Sequence, residues 1–266
     1  MKFADAEQSY EESKFIIFGV PYEDVEMSFR PGTKEAPDFI RYVSWDYESY
    51  SIIHGIDLQN IAIHDAGNLN IDDAKKFMEK CVEDGKIPIA MGGAHSISPH
   101  LISSIKENFG VVILDAHLDF RQEYLGDANS HACAARRIFE KVGKDKIISF
   151  GIRSASEEEV KEAEELGFKY YTVEEFRREM TNKVHFDKIY LSIDMDVFDP
   201  CYAPGVSNPE PMGLGYEIFD FIKGLADKII AMDVVEVCPP YDDERTSLLA
   251  AKIIRDFIAW SVLSSS

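Results

Sequence analysis

The amino-acid sequence predicts an α/β protein: a single three-layer α/β/α domain with a mostly parallel sheet of about eight strands. Three observations support this. Short, β-branched apolar runs recur at a steady interval, and each is followed by a stretch with helical spacing. The runs are apolar on successive residues, so each strand needs cover on both faces, the condition of a parallel strand between two helical layers. Finally, 45% hydrophobic and 29% charged residues in a chain of 266 describe a globular protein with a real core. No repeat or low-complexity linker divides the chain, so residues 1–266 are expected to form one domain.

The elements follow in order. Residues 14–19 (KFIIFG) read as the first strand and 61–63 as a short second one. Residues 87–91 (IPIAM) come next, with an irregular start at Pro88. Strands are then expected at 111–114 (VVIL), 147–150, 170–172, 189–193 (IYLSI) and 229–235 (IIAMDVV). Between them, Asp72 and Asp73 cap a helix running toward Asp84, which Gly85 stops. Ser156 and the three glutamates after it open another helix, with acids favoured by the helix dipole, and Gly167 closes it. Residues 217–226 and 246–260 also read as helices. The acid run from 157 to 165 is expected to be a solvated helix face, and Trp45 and Trp260 to be core residues. His54, His64, His100 and His185 match no motif and read as surface or packing histidines.

Charge and cysteine usage exclude several functions. With 28 Lys+Arg against 48 Asp+Glu, the formal net charge is -20. That argues against a nucleic-acid binder and against docking on anionic lipid, and it is compatible with a cationic substrate. The start of the chain carries acids where a signal peptide needs an apolar core, and no apolar run approaches the roughly 20 residues that span a bilayer. Cys81, Cys133, Cys201 and Cys238 are far apart and form no C-x-x-C pair, so each is expected to be a small buried residue in a reducing cytoplasm.

In open parallel sheets, ligands bind at the carboxyl ends of strands. VVIL ends in Asp115, His117 and Asp119; IYLSI ends in Asp194 and Asp196; IPIAM leads into GGAHS, which delivers His95. In extended chain, side chains two apart point the same way, so each segment can present several ligands in one direction. A single His or Asp at a strand end is usually a cap or turn residue. Four carboxylates crowded without cations, however, would repel one another, and some would stay protonated. Two divalent cations match four carboxylates, and the mixed O/N donor set suits Mn2+ better than a thiolate zinc site. Shared carboxylates would bridge such ions at about 3.5–4 Å.

The segments GGAHS, DAHLD and SIDMDVFDPCYAPGVSNPEP resemble the signatures of the ureohydrolase family (arginases, agmatinases and relatives). Further segments agree in order: Gly19-Val20-Pro21 with Arg30-Pro31-Gly32 and Ile40-Arg41, then Ser130-His131, Gly151-Ile152-Arg153-Ser154 and Glu236-Val237-x-Pro239. The resemblance implies two Mn2+ per chain, one held by His95, Asp115, Asp119 and Asp194, the other by Asp115, His117, Asp194 and Asp196. It implies that His131 shuttles a proton, that Glu236 receives the guanidinium, and that the chain assembles as a trimer or hexamer. Asp199-Pro200 and Ala203-Pro204-Gly205 match a loop beside the metals and read as scaffold. The reaction implied is hydrolysis of a guanidino group to urea and an amine, without an organic cofactor.

Departures from the family pattern bear on support and substrate. Ala94 stands where the family usually has Asp (G-G-D-H-S), and the segments after Ser130-His131 and Glu236-Val237 carry Ala132-Cys133 and Cys238. Gly92 and Gly93 are expected to allow a tight turn to His95. The arginase pattern places Asn where Arg121 stands and acids where Ser154 and Ser156 stand. The chain therefore sides with agmatinase-like members, with agmatine as the expected substrate. Guanidinobutyrate, formimidoylglutamate and arginine are the alternatives, and Arg121 would suit a carboxylate tail if it faced the site. A non-catalytic, metal-stabilised regulatory paralogue is the alternative from another class.

Overall fold

The computed structural model describes residues 1–24, 28–176 and 178–264. Seven of the eight expected strands lie where the sequence places them, the second is shifted, and all eight enter one sheet. In chain order they are β1 (Phe15–Val20), then a short antiparallel pair, β2 (Tyr50–Ser51) and β3 (Ile56–Asp57), outside the main sheet, then β4 (Ile63–Asn68), β5 (Ile87–Gly92), β6 (Gly110–Leu114), β7 (Ile147–Ile152), β8 (Lys169–Thr172), β9 (Ile189–Asp194) and β10 (Ile229–Val235). The main sheet has the order β4-β1-β5-β10-β9-β6-β7-β8, and every neighbouring pair in it is parallel. The chain leaves β5, skips two places to β6, and later fills the gap with β9 and β10. That reversal puts four carboxyl ends side by side at the centre of the sheet.

Helices cover both faces: α1 (Ala36–Ser44), α2 (Ile71–Glu83), α3 (Ile97–Ser104), α4 (Ala134–Val142), α5 (Glu157–Leu166), α6 (Glu217–Lys223) and α7 (Arg245–Leu263). Strand alternation decides which face each side chain serves. Phe15 and Ile17 of β1 and Met232 and Val234 of β10 pack with Ile40 of α1, Phe221 of α6 and Phe257 of α7. Phe18 and Val20 of β1 and Ala231 and Val235 of β10 pack with Met78 of α2, Leu101 of α3 and Ile138 of α4. The result is a three-layer arrangement with a core on each side of the sheet.

Several local expectations are corrected. The second strand does not end at Ile63 but begins there, running through His64, Asp65 and Asn68. It is an edge strand, so it lacks the two-sided apolar signal. The cap of α2 is Asn70, whose side chain accepts from the Asp73 backbone N–H at 3.0 Å, rather than Asp72 or Asp73. Helix α6 stops at Lys223, with Gly224 as its cap. The acid run of α5 is solvated except for Glu159, which is 5% exposed because it closes a capping box with Ser156. Trp45 is 52% exposed, and its indole N–H is satisfied by the Lys2 carbonyl; it ends α1 on the solvent side. Trp260 is buried as expected, while Cys201 is exposed and the other three cysteines are buried.

One polar pair belongs to the frame. Arg41 of α1 reaches Asp65 of β4 through two parallel bonds, Nε to Oδ2 at 2.7 Å and Nη2 to Oδ1 at 2.9 Å. The backbone N–H groups of Phe3 and Gly67 donate to the same carboxylate. The pair fixes the amino-terminal segment and α1 to the sheet edge.

Candidate active site

The carboxyl ends of β5, β10, β9 and β6 converge on one cleft. Past β5, the chain passes Gly92 and Gly93 to His95. A Cβ on Gly93 would lie 1.8 Å from the Tyr22 carbonyl oxygen, and one on Gly92 would lie 2.5 Å from Ile97. Close packing, rather than a left-handed turn, therefore requires these glycines. Two site residues do carry left-handed backbone: Asp119 at φ 49° and Glu236 at φ 65°. Such strain in non-glycine residues is held only where surrounding structure enforces it. At Glu236, the side chain accepts the His95 backbone N–H at 2.6 Å, tying the end of β10 to the turn after β5.

All six expected ligand residues meet here. His95 Nδ1 faces Asp115 Oδ2 at 3.1 Å, Asp119 Oδ2 at 3.3 Å and Asp194 Oδ2 at 3.3 Å. His117 Nδ1 faces Asp196 Oδ2 at 2.8 Å and Asp115 Oδ1 at 3.8 Å. His95, Asp115 and Asp119 form one group with ligand atoms within 4.8 Å of one another, and Asp115, His117 and Asp196 form a second. Asp115 belongs to both. Short local bonds aim the carboxylates: Asp115 Oδ1 accepts from His117 N at 2.6 Å, and Asp194 Oδ1 accepts from Asp196 N at 2.9 Å.

The donor set fits a pair of divalent cations. His95 Nδ1 and Asp115 Oδ2 are buried and have no hydrogen-bond partner, a state that is costly for polar atoms unless an ion matches them. Burial, then the neighbouring Asp119 and Asp196, push the Asp115 carboxyl up to about 8. Burial and the charges of Asp196 and Asp115 also raise Asp194 well above the usual carboxylate range. Asp196 is lowered, because His117 outweighs the effect of its burial. Carboxylates in surplus over the basic groups among them are what a cation site requires.

A cleft of about 340 Å³ opens above these ligands, walled by Arg121, Tyr124, His131, Asn208, Glu159 and Glu236. His131 is held by Asp24: its backbone N–H donates to Asp24 Oδ2 at 3.0 Å, and its Nδ1 lies 3.6 Å from the same oxygen. Burial opposes the imidazolium, but Asp24, Glu236 and Asp119 outweigh it and push His131 up to about 9. Arg121 faces the cleft with its charge already matched. Its Nη2 lies 3.1 Å from Glu159 Oε2, and its guanidinium sits 5.5 Å from the centre of the Tyr124 ring.

The remaining histidines are surface or packing residues as expected, with His185 exposed and His100 partly buried. His54 Nε2 lies 3.0 Å from Asp256 Oδ1, and His64 Nδ1 lies 2.8 Å from the Gln8 carbonyl. Arg153 donates to the carbonyls of Asp196 and Glu210 at 2.7 and 2.8 Å, joining the two ends of the segment that contains the scaffold loop. Sequence reasoning missed Asp24, Glu159 and Ser192. Asp24 follows the carboxyl end of β1, so the strand-end rule applied elsewhere reaches it too. Glu159 was hidden in an acid run, and Ser192 inside an apolar strand, where its hydroxyl lies 3.1 Å from His95 Nε2.

Comparison with known proteins agrees with this geometry. The family model described as "Arginase family" matches residues 13–259. An agmatinase of Bacillus anthracis is 32% identical, over 96% of this chain and 94% of its own length. An N(1)-aminopropylagmatine ureohydrolase of Thermococcus kodakarensis is 33% identical, over 92% of this chain and 89% of its own length. Among solved structures, the agmatine ureohydrolase of Thermoplasma volcanium superposes with a TM-score of 0.93 at 37% identity, covering 98% of this chain and 94% of that one. The chain belongs to the arginase family, within which it is most like the agmatinases, and it is a hydrolase of guanidino C–N bonds.

Proposed function

We propose that this protein hydrolyses agmatine to putrescine and urea, using two Mn2+ ions. One ion would be held by His95, Asp115, Asp119 and Asp194, the other by Asp115, His117, Asp194 and Asp196. The observation that carries this reading is the position of Asp115, whose Oδ2 faces His95 while its Oδ1 faces His117. A carboxylate that presents one oxygen to each ligand group is placed to bridge two ions.

The ions would supply charge that lowers the pKa of water and so a nucleophile near neutral pH. The chain's own residues do the rest. Glu236 commits one oxygen to the His95 backbone, which fixes its carboxylate at the cleft floor. Its second oxygen can accept a charge-assisted bond from the substrate guanidinium and orient the electrophilic carbon. His131, steadied by Asp24, carries the proton that the departing amine needs. An amine-tailed substrate leaves the Arg121–Glu159 pair intact, whereas an acid-tailed one gains from Arg121 only by competing with Glu159.

The same proposal treats residues 1–266 as one catalytic domain acting in the cytoplasm as a homo-oligomer, a trimer or hexamer. Among the described residues, no helix is long and apolar enough to cross a membrane. Ile52, Ile53 and Tyr216 are 87%, 79% and 70% exposed, which suits an interface between copies. Light scattering on the purified protein tests this, and a monomer would contradict it.

The test of function is urea release from agmatine, N(1)-aminopropylagmatine, arginine and guanidinobutyrate, with formamide release from formimidoylglutamate measured alongside. We expect kcat/KM for agmatine at least about 10²-fold above arginine. A ranking that puts arginine, guanidinobutyrate or formimidoylglutamate above agmatine would overturn the substrate assignment. Bound ions with no hydrolysis of any of the five compounds would instead identify a non-catalytic, metal-stabilised protein.

A further inference from the structure

Ser192 and Asp233 sit inside the central strands β9 and β10, in runs that are otherwise apolar. They are register partners across that strand pair, and both are fully buried. Ser192 Oγ donates to Asp233 Oδ1 at 2.6 Å, and the Tyr190 hydroxyl donates to Asp233 Oδ2 at 2.6 Å. Ser98 of α3 comes within 3.3 Å of Ser192 Oγ. On its open side, Ser192 Oγ lies 3.1 Å from His95 Nε2. A carboxylate in the middle of a sheet is costly to bury unless its oxygens are matched, and here each oxygen is matched by a hydroxyl.

The direction of donation follows from the chemistry of the groups. Each Asp233 oxygen faces one hydroxyl, and in that arrangement Ser192 gives its single proton to Asp233. The Ser192 oxygen is then left to accept from His95, which places the ring proton on Nε2. The Nδ1 lone pair is therefore turned toward Asp115, Asp119 and Asp194, at 3.1 to 3.3 Å. A lone pair facing three carboxylate oxygens is in place only if a cation lies among them. Ala94, next to His95, is fully buried and brings no polar side chain to the ring, so the ring's support comes from within the sheet, through Ser192 of β9.

We infer that Tyr190, Asp233 and Ser192 form a positioning relay that locks His95 in the Nε2–H tautomer and thereby sets cation affinity on the His95 side of the centre. The inference rests on the metal-centre reading above. The relay touches no substrate. Its contact is with His95, whereas the Nδ1 of the other imidazole, His117, is paired with Asp196. The loss of such support behind a metal-binding histidine commonly costs about 10–100-fold in affinity.

The experiment is a two-step Mn2+ titration by calorimetry on the full chain, comparing the parent with Ser192→Ala, Ser192→Thr and Tyr190→Phe. Ser192→Ala should weaken one of the two ions by about 10–100-fold and leave the other near the parent value. Ser192→Thr keeps the hydroxyl and should restore parent affinity. Tyr190→Phe, which loses one hydroxyl and keeps the ring, should show a smaller loss at the same single step, and it carries the test if Ser192→Ala does not fold. Equal weakening of both ions, or no weakening in a folded variant, would overturn the relay. A parent that binds fewer than two ions would instead overturn the metal-centre reading on which it rests.

Discussion

Asp65 and Asp115 are the same residue type at nearly the same depth, 3% and 1% exposed, yet the chain treats them in opposite ways. Asp65 receives a guanidinium and two backbone N–H groups. Burial would raise its pKa, but Arg41 outweighs it and holds the carboxyl below the usual range. Asp115 receives no guanidinium. Burial, Asp119 and Asp196 raise it to about 8, and His95 offsets only part of that. A buried carboxylate whose cation is built into the sequence is a structural pair. One whose neighbours are mostly more carboxylates has the surplus negative charge that a cation site requires. The distinction separates frame from site without reference to motif.

Removing Asp115 should break the comparison most severely. Asp115→Ala is expected to lose both ions by elemental analysis and at least about 10²–10³-fold in kcat/KM, the scale on which charge stabilisation of a transition state is lost. Its metal-free form should melt no lower than the metal-free parent, because carboxylate repulsion is relieved. Two ions retained in this variant would refute the bridging role.

His131→Ala comes next. It should lower kcat by roughly 10²–10⁴-fold while ion content stays at the parent level. Loss of ions from that variant would make His131 a ligand or a support instead of a proton carrier.

At the frame, Arg41→Ala should do the reverse of Asp115→Ala. It leaves a buried charge without its partner, and denaturant unfolding should report a loss of about 3–5 kcal/mol. Ion stoichiometry in the folded fraction should be unchanged. Parent-like stability would show that the backbone donors alone suffice for Asp65.

The smallest effect is a pH dependence in the metal-free protein. His131 is raised from 6.5 to about 9, so its protonated form stabilises the fold. That contribution is fully present below about 6.5 and is lost as pH rises through about 9. The difference in unfolding free energy between parent and His131→Ala isolates it from the other site groups. The parent's advantage should shrink across that window, and an advantage that stays flat or grows would contradict the raised pKa.

What could be read from the sequence depended on how local the cause was. Strands β5, β6, β9 and β10 are apolar on both faces because two helical layers cover them, and the ends of β5, β6 and β9 exposed the six expected ligand residues directly. Strand β4 was misplaced because an edge strand built around Asp65 and Asn68 has no such signature. Helices α1 and α4 went unassigned: each is nine residues long, and motif residues lie in or beside them, Arg41 within the first and His131 just before the second. Trp45 looked like core by residue type, but its position at the end of α1 puts it in solvent. The sequence decides neither whether Arg121 faces the cleft nor what pairs with it, because Glu159 is folded inward by a capping box inside what reads as a charged surface. Ser192 and Asp233 were the hardest, since a polar residue in an apolar strand signals only that it has a partner, and that partner is brought by another strand or turn.

Elemental analysis of the dialysed parent, with agmatine hydrolysis measured on the same sample, tests most directly whether the surplus carboxylates are a binuclear centre. Two divalent ions per chain, with activity that chelation removes and Mn2+ restores, are expected. Full agmatine hydrolysis by protein carrying one ion per chain or none would contradict it.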